Sequence, residues 1–180
     1  DGLLPHRYRR RQPYIYHDDQ IARLLAAARA LRSPRGLRAH TCTTLFGLLA
    51  VTGLRLGEAL GLDREDVDLR AGVLTIRHAK FGKTRYVPMH PTTGGALRRY
   101  ARRRDRVFPA LDTPAVFVSE RRTRVTLGAA EWTWSKLLLD VGLRGPADCR
   151  GPCIHHLRHT FAVRTLLRWY RKGLDVERKL

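Results

Sequence analysis

Long apolar runs and an export signal are both missing from the sequence. No stretch approaches the roughly 20 apolar residues that a membrane-spanning helix requires, which argues against a membrane partner. The first 16 residues contain no apolar segment and no small-residue cleavage site of the kind that marks a secretory signal. We therefore expect a cytoplasmic protein.

Cysteine is scarce as well, with Cys42, Cys149 and Cys153 as the three examples in 180 residues. An odd number of cysteines without an export signal argues against a disulfide framework. Cys149 and Cys153 stand close to His155 and His156, but the C-x3-C-x-H-H spacing is too tight to wrap a tetrahedral zinc ion comfortably. We expect no metal site and no cofactor.

Acidic residues are few, since 16 Asp and Glu stand against 35 Lys and Arg and give a formal charge of +19. A field of this sign attracts polyanions and releases their counterions on binding, which favours nucleic acid as the partner. An arginine-rich surface that reflects biased codon usage, without such a partner, would have the same composition. The charge therefore suggests a partner but no chemistry.

The residues that are present suffice for one folded domain, because 180 residues with 43% hydrophobic content can bury a core. Apolar spacing and caps predict helices over residues 18–31, 36–53, 56–61, 92–103 and 129–141 and from 155 onward. The predicted caps are Asp18 or Asp19 and Thr92 or Thr93. β-type runs at 73–76 and 86–88 predict a hairpin with a basic tip, and 115–118 is predicted to be extended. The predicted fold class is α+β, mainly helical with a small antiparallel sheet.

The composition also divides the chain at Tyr16. Residues 1–16 are dense in arginine, contain Pro5 and Pro13, and show no helical or strand periodicity. They are predicted to form a basic linker or arm, and residues 17–180 are predicted to form the folded unit.

Three polar clusters interrupt the apolar pattern. They are Thr52-Gly53-Leu54-Arg55-Leu56-Gly57-Glu58, Lys80-Phe81-Gly82-Lys83-Thr84-Arg85-Tyr86-Val87-Pro88 and His155-His156-Leu157-Arg158-His159-Thr160-Phe161. Each alone has an ordinary explanation: a charge that complements the end of a helix, a solvated basic turn, and an arginine paired with a surface carboxylate. Together and in this order they resemble the tyrosine recombinase family, which includes phage integrases and Xer-type recombinases and shares its catalytic core with type IB topoisomerases.

The resemblance covers almost the whole chain and implies the DNA breaking-rejoining fold of a recombinase catalytic domain. The implied activity is site-specific recombination or integration of double-stranded DNA through a phosphotyrosine intermediate. The full-length protein would act as a homo-tetramer on paired DNA sites in a bacterial cytoplasm.

The first two clusters resemble the T-G-x-R-x-x-E box and the K-x-x-K-x-R-x-V-P hairpin of that family. The first match implies that Arg55 is catalytic and that Glu58 supports it. The second implies that Lys80 is the catalytic lysine, with Lys83 and Arg85 in contact with DNA.

The third cluster resembles the H-x-x-R-H box of the family. This match implies that His155 and Arg158 are catalytic and that His159 is a supporting structural partner.

These residue types suit attack on a phosphodiester. The attack places negative charge on two nonbridging oxygens, which paired donors from Arg55 and Arg158 can clamp. Cleavage also needs a proton for the departing 5′ oxygen, and Lys80 on a hairpin can deliver it. His155 can exchange a proton because imidazole titrates near neutrality, and Glu58 can buttress Arg55 from one turn away. None of these roles requires a metal ion.

The nucleophile is the missing part of the pattern. The resemblance implies a tyrosine well beyond the third cluster, after an L-G-H-like segment, and a DNA-clamping domain before the basic arm. The last tyrosine is Tyr170, which is predicted to share a helix with Arg158, and the sequence ends at Leu180. We therefore expect a catalytic domain that is incomplete at its C-terminus, binds duplex DNA weakly and cleaves no strand.

Two other functions remain open at this point. One is a non-catalytic DNA-binding remnant of an integrase, which needs only electrostatic affinity. The other is a metal-dependent nuclease built on the closely spaced acidic residues Asp63, Glu65, Asp66 and Asp68, although these are better interpreted as turn and cap residues.

Structural roles are expected for several conspicuous side chains. Trp132, Trp134 and Trp169 are spaced as the core or rim of helices, which favours packing over base stacking. His156 and His159 are expected to serve packing or capping.

Overall fold

The computed structural model describes residues 12–77, 84–148 and 151–174. The helices in these segments are α1 (Asp18–Arg29), α2 (Leu37–Thr52), α3 (Leu56–Gly61), α4 (Pro91–Val107), α5 (Leu127–Asp140) and α6 (His156–Arg171), with a 3-10 turn at Arg64–Asp66. The strands are β1 (Val67–Asp68), β2 (Val73–Ile76) and β3 (Arg85–Pro88). The predicted mainly helical α+β fold with a small antiparallel sheet is confirmed. No helix among the described residues is both long and apolar enough to cross a bilayer.

Helix α2 is the centre of the packing. Its sequence is apolar around most of its circumference, which is the pattern of a helix surrounded by other elements. It packs against α1, α4 and α6, and Leu45, Phe46, Leu48 and Leu49 are buried. This packing fixes the C-terminal end of α2, where the first polar cluster begins.

The sheet has the order β1-β2-β3, and both pairings are antiparallel. Leu74 and Ile76 of β2 face the core, as the alternation of a half-buried strand requires. Ile76 pairs with Arg85, so Arg85 starts β3 at the end of the sheet next to residues 78–83. Lys80 and Lys83, and with them the predicted hairpin tip, lie outside the described residues.

The predicted cap of α1 was wrong. His17 is the N-cap, and Asp18 and Asp19 stand in the first helical turn, where their negative charges favour the positive end of the helix dipole. Gln20 accepts a hydrogen bond from the His17 backbone at 3.0 Å, which closes the turn in the manner of a capping box. The helix ends at Arg29.

The predicted bounds of α4 were also too short. His90 is its cap, accepting a hydrogen bond from the Thr92 backbone, and Pro91 occupies the first helical position, where its missing N–H costs nothing. The helix continues to Val107 because the arginine-rich stretch that follows has good helix propensity.

Tyr14 and Tyr16 pack on the core of the domain. The Tyr16 backbone donates to the Thr160 hydroxyl at 2.9 Å, and its own hydroxyl donates to the Cys153 carbonyl at 3.0 Å and accepts from the Trp134 indole at 3.2 Å. The last residues of the predicted arm therefore belong to the folded unit and tie it to the start of α6.

Trp134 and the acidic cluster have the predicted structural roles. Trp134 is buried, Trp169 is half-buried, and Trp132 is exposed. Asp66 accepts from the backbone of Asp63 at 2.9 Å, and Asp68 accepts from the two backbone N–H groups of the turn that follows it. These carboxylates close turns after α3, as the sequence indicated.

Candidate active site

Gly53 joins the first and third polar clusters. It ends α2 with a φ of 64°, and a Cβ atom placed on it would overlap the Phe161 ring. The Gly53 carbonyl accepts a hydrogen bond from the Arg158 guanidinium. Only glycine fits both the backbone conformation and the close approach of α6.

The Glu58 carboxylate lies close to a guanidinium group from each of the three clusters. The carboxylate accepts from the Arg55 backbone at 2.8 Å, from the Arg55 guanidinium at 2.9 Å and from the Arg85 guanidinium at 2.7 Å. Nη1 of Arg158 lies 4.0 Å from the same carboxylate. We call the three arginines around Glu58 the arginine cluster: Arg55, Arg85 and Arg158.

Opposing effects act on the pKa of Glu58. Burial raises it, but the hydrogen bonds from the Arg55 backbone and side chain and the positive charge of Arg85 outweigh the burial, so the pKa lies below its usual value. Glu58 is therefore ionised at neutral pH. Three positive groups face this single negative charge, so the arginine cluster has a net positive charge that can bind an anion.

Arg55 lies at the start of α3, not at the end of α2. It is the N-cap of α3, with extended backbone angles, and Glu58 follows at the third helical position. Among the described residues its guanidinium is hydrogen-bonded to the Glu58 carboxylate and to no carbonyl of α2. Its side chain is 44% exposed, so it is held on one side by Glu58 and open to solvent on the other.

Arg158 lies in the first turn of α6, and its side chain is one-third exposed. Burial, followed by the positive charge of Arg55, lowers the pKa of Arg158, and the carboxylate of Glu58 opposes that shift. The two predicted catalytic arginines are thus electrostatic neighbours, although they are separated by about 100 positions in the sequence.

His155 precedes α6 and is exposed. Its ring centroid lies 5.0 Å from that of His159, in an edge-on arrangement. Partial desolvation of the ring lowers the pKa of His155, and the charges of His159, Arg158 and Arg55 lower it further. A neutral imidazole therefore stands beside both arginines, where it can accept a proton.

The structure describes some of the other predicted site residues and not others. Lys80 and Lys83 lie outside the described residues. Arg85, predicted to contact DNA, is held by Glu58 within the arginine cluster. Tyr170 is exposed and lies 12 residues after Arg158 on the same helix, about 18 Å along the axis.

Comparison with known proteins settles the family. A model described as the phage integrase family matches residues 15–177. The chain belongs to the phage integrase family. The predicted resemblance to the tyrosine recombinase family is thereby confirmed.

Individual relatives agree with this membership. The chain is 48% identical to y4rB of Sinorhizobium fredii, a protein named as an integrase/recombinase, over 99% of this chain and 58% of that protein. It is 31% identical to tyrosine recombinase XerD of Neisseria meningitidis over 97% of this chain and 55% of that protein. This integrase-family chain thus spans little more than half the length of these relatives.

Solved structures support the fold. A crystal structure of XerA recombinase matches with a TM-score of 0.69 and 29% identity, over 93% of this chain and 54% of that one. A lambda integrase dimer bound to a core site matches with a TM-score of 0.62 and 19% identity, over 86% of this chain and 41% of that one. The fold is that of the catalytic domains of tyrosine recombinases.

Sequence reasoning missed two contacts of the site. One is the ion pair between Arg85 and Glu58; the predicted contact of Arg85 with DNA stays a prediction. The contact between Gly53 and Phe161 left a usable signal, because a glycine at a helix end can also mark close packing.

Proposed function

We propose that this chain is the phosphate-binding part of the catalytic domain of a site-specific DNA recombinase. The observation that carries the proposal is the convergence of Arg55 and Arg158 on one carboxylate, with His155 beside both of them. Membership of the phage integrase family supports it independently.

In this proposal Arg55 and Arg158 bind the two nonbridging oxygens of the scissile phosphate. Each guanidinium keeps one side on Glu58 or on a backbone carbonyl and presents its remaining N–H groups outward. Donors fixed before the substrate arrives stabilise the charge that develops in the transition state without reorganising. Glu58 fixes Arg55, and the Gly53 carbonyl fixes Arg158 next to it.

The remaining roles follow from where protons must move. A tyrosine of the whole protein attacks the phosphorus atom and forms a 3′-phosphotyrosyl bond, while the bond to the 5′ oxygen breaks. Lys80 is proposed to protonate that oxygen, and His155 to exchange the proton of the attacking hydroxyl. His159 would support His155 through its edge-on ring, and Lys83 would contact the DNA backbone.

Duplex DNA is the proposed partner, and a homo-tetramer on paired sites is the proposed assembly of the full-length protein. The net charge of +19 supports DNA binding. A structural neighbour named as a lambda integrase tetramer bound to a Holliday junction supports the proposed assembly.

The salt dependence of duplex binding tests the clamp. Fluorescence anisotropy of a labelled duplex should show the R55A/R158A variant to bind about tenfold more weakly, with the logarithmic salt slope reduced by about one. A reduction by one and not two is expected because both arginines serve one phosphate.

A matched control is R99A/R102A, which removes two exposed arginines from α4. This control should change the slope and the affinity less than the clamp variant does. Equal losses in the two variants would show that affinity depends on total charge, and would overturn the clamp.

A further inference from the structure

The turn that leads into α6 is closed by a side chain with no role in the mechanism above. The backbone N–H of Cys153 donates to Nδ1 of His156 at 3.0 Å. The same turn contains backbone hydrogen bonds of 3.1 Å from His156 to Cys153 and from Arg158 to His155. His155 lies within this turn, and the backbone of Arg158 is hydrogen-bonded to it.

His156 performs the task that Glu or Gln performs in a capping box. In that motif a side chain in the first helical turn reaches back to a backbone N–H three residues earlier, which otherwise has no partner. An imidazole can accept this hydrogen bond only when Nδ1 carries no proton, which places the single ring proton on Nε2. The turn is thus closed by the neutral form of His156.

The groups that face His156 come from three parts of the fold. His155 immediately precedes α6 and His159 lies in its first turn, with the ring centroid of His159 5.9 Å from that of His156. The Tyr14 ring lies 6.3 Å away on the N-terminal segment, and Cys153 precedes the helix. Burial lowers the pKa of His156, and the charges of His159 and His155 lower it further, so these surroundings favour the form that closes the turn.

We infer that His156 is a positioning residue, whose unprotonated ring closes the Cys153–His156 turn and so holds His155 and Arg158 in place. The functional consequence rests on the proposed function, because holding these residues matters only if they bind a phosphate. The closure of the turn itself does not depend on that function.

The dependence on pH has a definite sign. A base whose folded-state pKa is lowered contributes stability that is fully present above its unfolded pKa and is lost as the pH falls through the folded value. For His156 that loss starts as the pH falls below about 6.5 and grows toward more acidic pH. Acid would therefore open the turn.

Three variants separate the contributions to this effect. H156Q keeps an acceptor that does not titrate, H156A removes the acceptor, and H40Q makes the same change at an exposed histidine on α2. Urea and thermal unfolding should be followed from about pH 8 to pH 5. H156A should lower Tm at pH 8 by roughly 2–4 °C, which is the effect of losing one cap.

The pH dependence and the rescue are the decisive readouts. H156Q should restore Tm at pH 8 and show a smaller loss of Tm toward pH 5 than the unmodified protein, whereas H40Q should keep the unmodified profile. An H156Q profile as steep as that of the unmodified protein would overturn the closure of the turn by His156.

Positioning is tested by a double-mutant cycle on duplex binding at pH 8. The loss of affinity caused by R158A should be at least about threefold smaller in the H156A background and should return to its full size with H156Q. Independent losses would overturn the positioning role. If the H156Q profile flattens but R158A leaves duplex binding unchanged in every background, the closed turn stands and the proposed function fails.

Discussion

Arg104 and Arg158 both donate to main-chain carbonyl oxygens, yet they occupy opposite kinds of site. Arg104, near the end of α4, is 4% exposed. It donates to the Asp105 carboxylate at 2.8 Å and to the carbonyls of Val116 at 2.9 Å and Ala115 at 3.4 Å. Its hydrogen-bonding capacity is used inside the fold, where it ties α4 to the extended segment that carries residues 115 and 116.

Arg158 is held more loosely and faces solvent. Among the described residues its side chain makes one hydrogen bond, to the carbonyl of Gly53, and it lies near a carboxylate that two other arginines already share. An arginine whose N–H groups are paired inside the protein stabilises the fold, whereas one that is oriented but incompletely paired can bind an anion. The difference between the two is one of surroundings, because the side chain is the same.

The largest expected effect comes from breaking the junction at Gly53. G53A should cost about 3 kcal/mol or more, because alanine is strained at positive φ and its Cβ would overlap the Phe161 ring. Urea unfolding measures the loss.

G47A is the matched control for that change. Gly47 lies inside α2, and among the described residues no atom from outside its own helical turn lies within 4 Å of a Cβ placed on it. Alanine should therefore stabilise the helix by roughly 0.5–1 kcal/mol. A mild effect of G53A, close to that of G47A, would show that α6 is not docked on the end of α2.

Replacing each arginine by methionine tests the comparison directly, since methionine retains much of the apolar stem. R104M should cost about 3 kcal/mol, because it leaves buried carbonyls without a donor. R158M should change the free energy of unfolding by less than about 1 kcal/mol, because its side chain is partly solvated.

Duplex binding should rank the same two variants in the opposite order. R158M should bind duplex DNA clearly more weakly than the unmodified protein, whereas R104M should bind it normally under conditions where it is folded. If R158M is as destabilised as R104M and binds DNA normally, Arg158 is a structural arginine and the contrast between the two sites is lost.

Much of the fold could be predicted from the sequence because local patterns, such as apolar spacing and helix-ending glycines, determine its elements. The period of apolar residues and the glycine at position 53 indicated the end of α2, and the bounds of α3 were predicted at residues 56 and 61. The caps of α1 and α4 were missed because histidine is not a preferred cap. His17 caps without a hydrogen bond from its side chain to the helix, whereas the His90 ring accepts one from the Thr92 backbone.

The candidate site was less accessible to local reasoning. Arg55 and Glu58 form a pair that spacing suggests, since both belong to one helical turn. Nothing in the spacing shows that Arg85 and Arg158 meet the same carboxylate, because tertiary packing creates that contact. The resemblance to tyrosine recombinases indicated which residues belong to the site, but only the folded structure shows that the arginines share the Glu58 carboxylate.

The most discriminating effect is expected from E58Q. Removing a negative charge from a site that binds a polyanion should strengthen duplex binding if electrostatics alone decides the affinity. If Glu58 instead orients Arg55, Arg85 and Arg158, the amide loses two charge-assisted hydrogen bonds and the arginines scatter over more rotamers. We expect the second effect to prevail and weaken binding roughly tenfold, about 1.4 kcal/mol.

Anisotropy titrations of E58Q beside E65Q, which neutralises an exposed carboxylate paired with Arg77, measure the difference. Tighter binding by both variants would show that the arginine cluster needs no buttress.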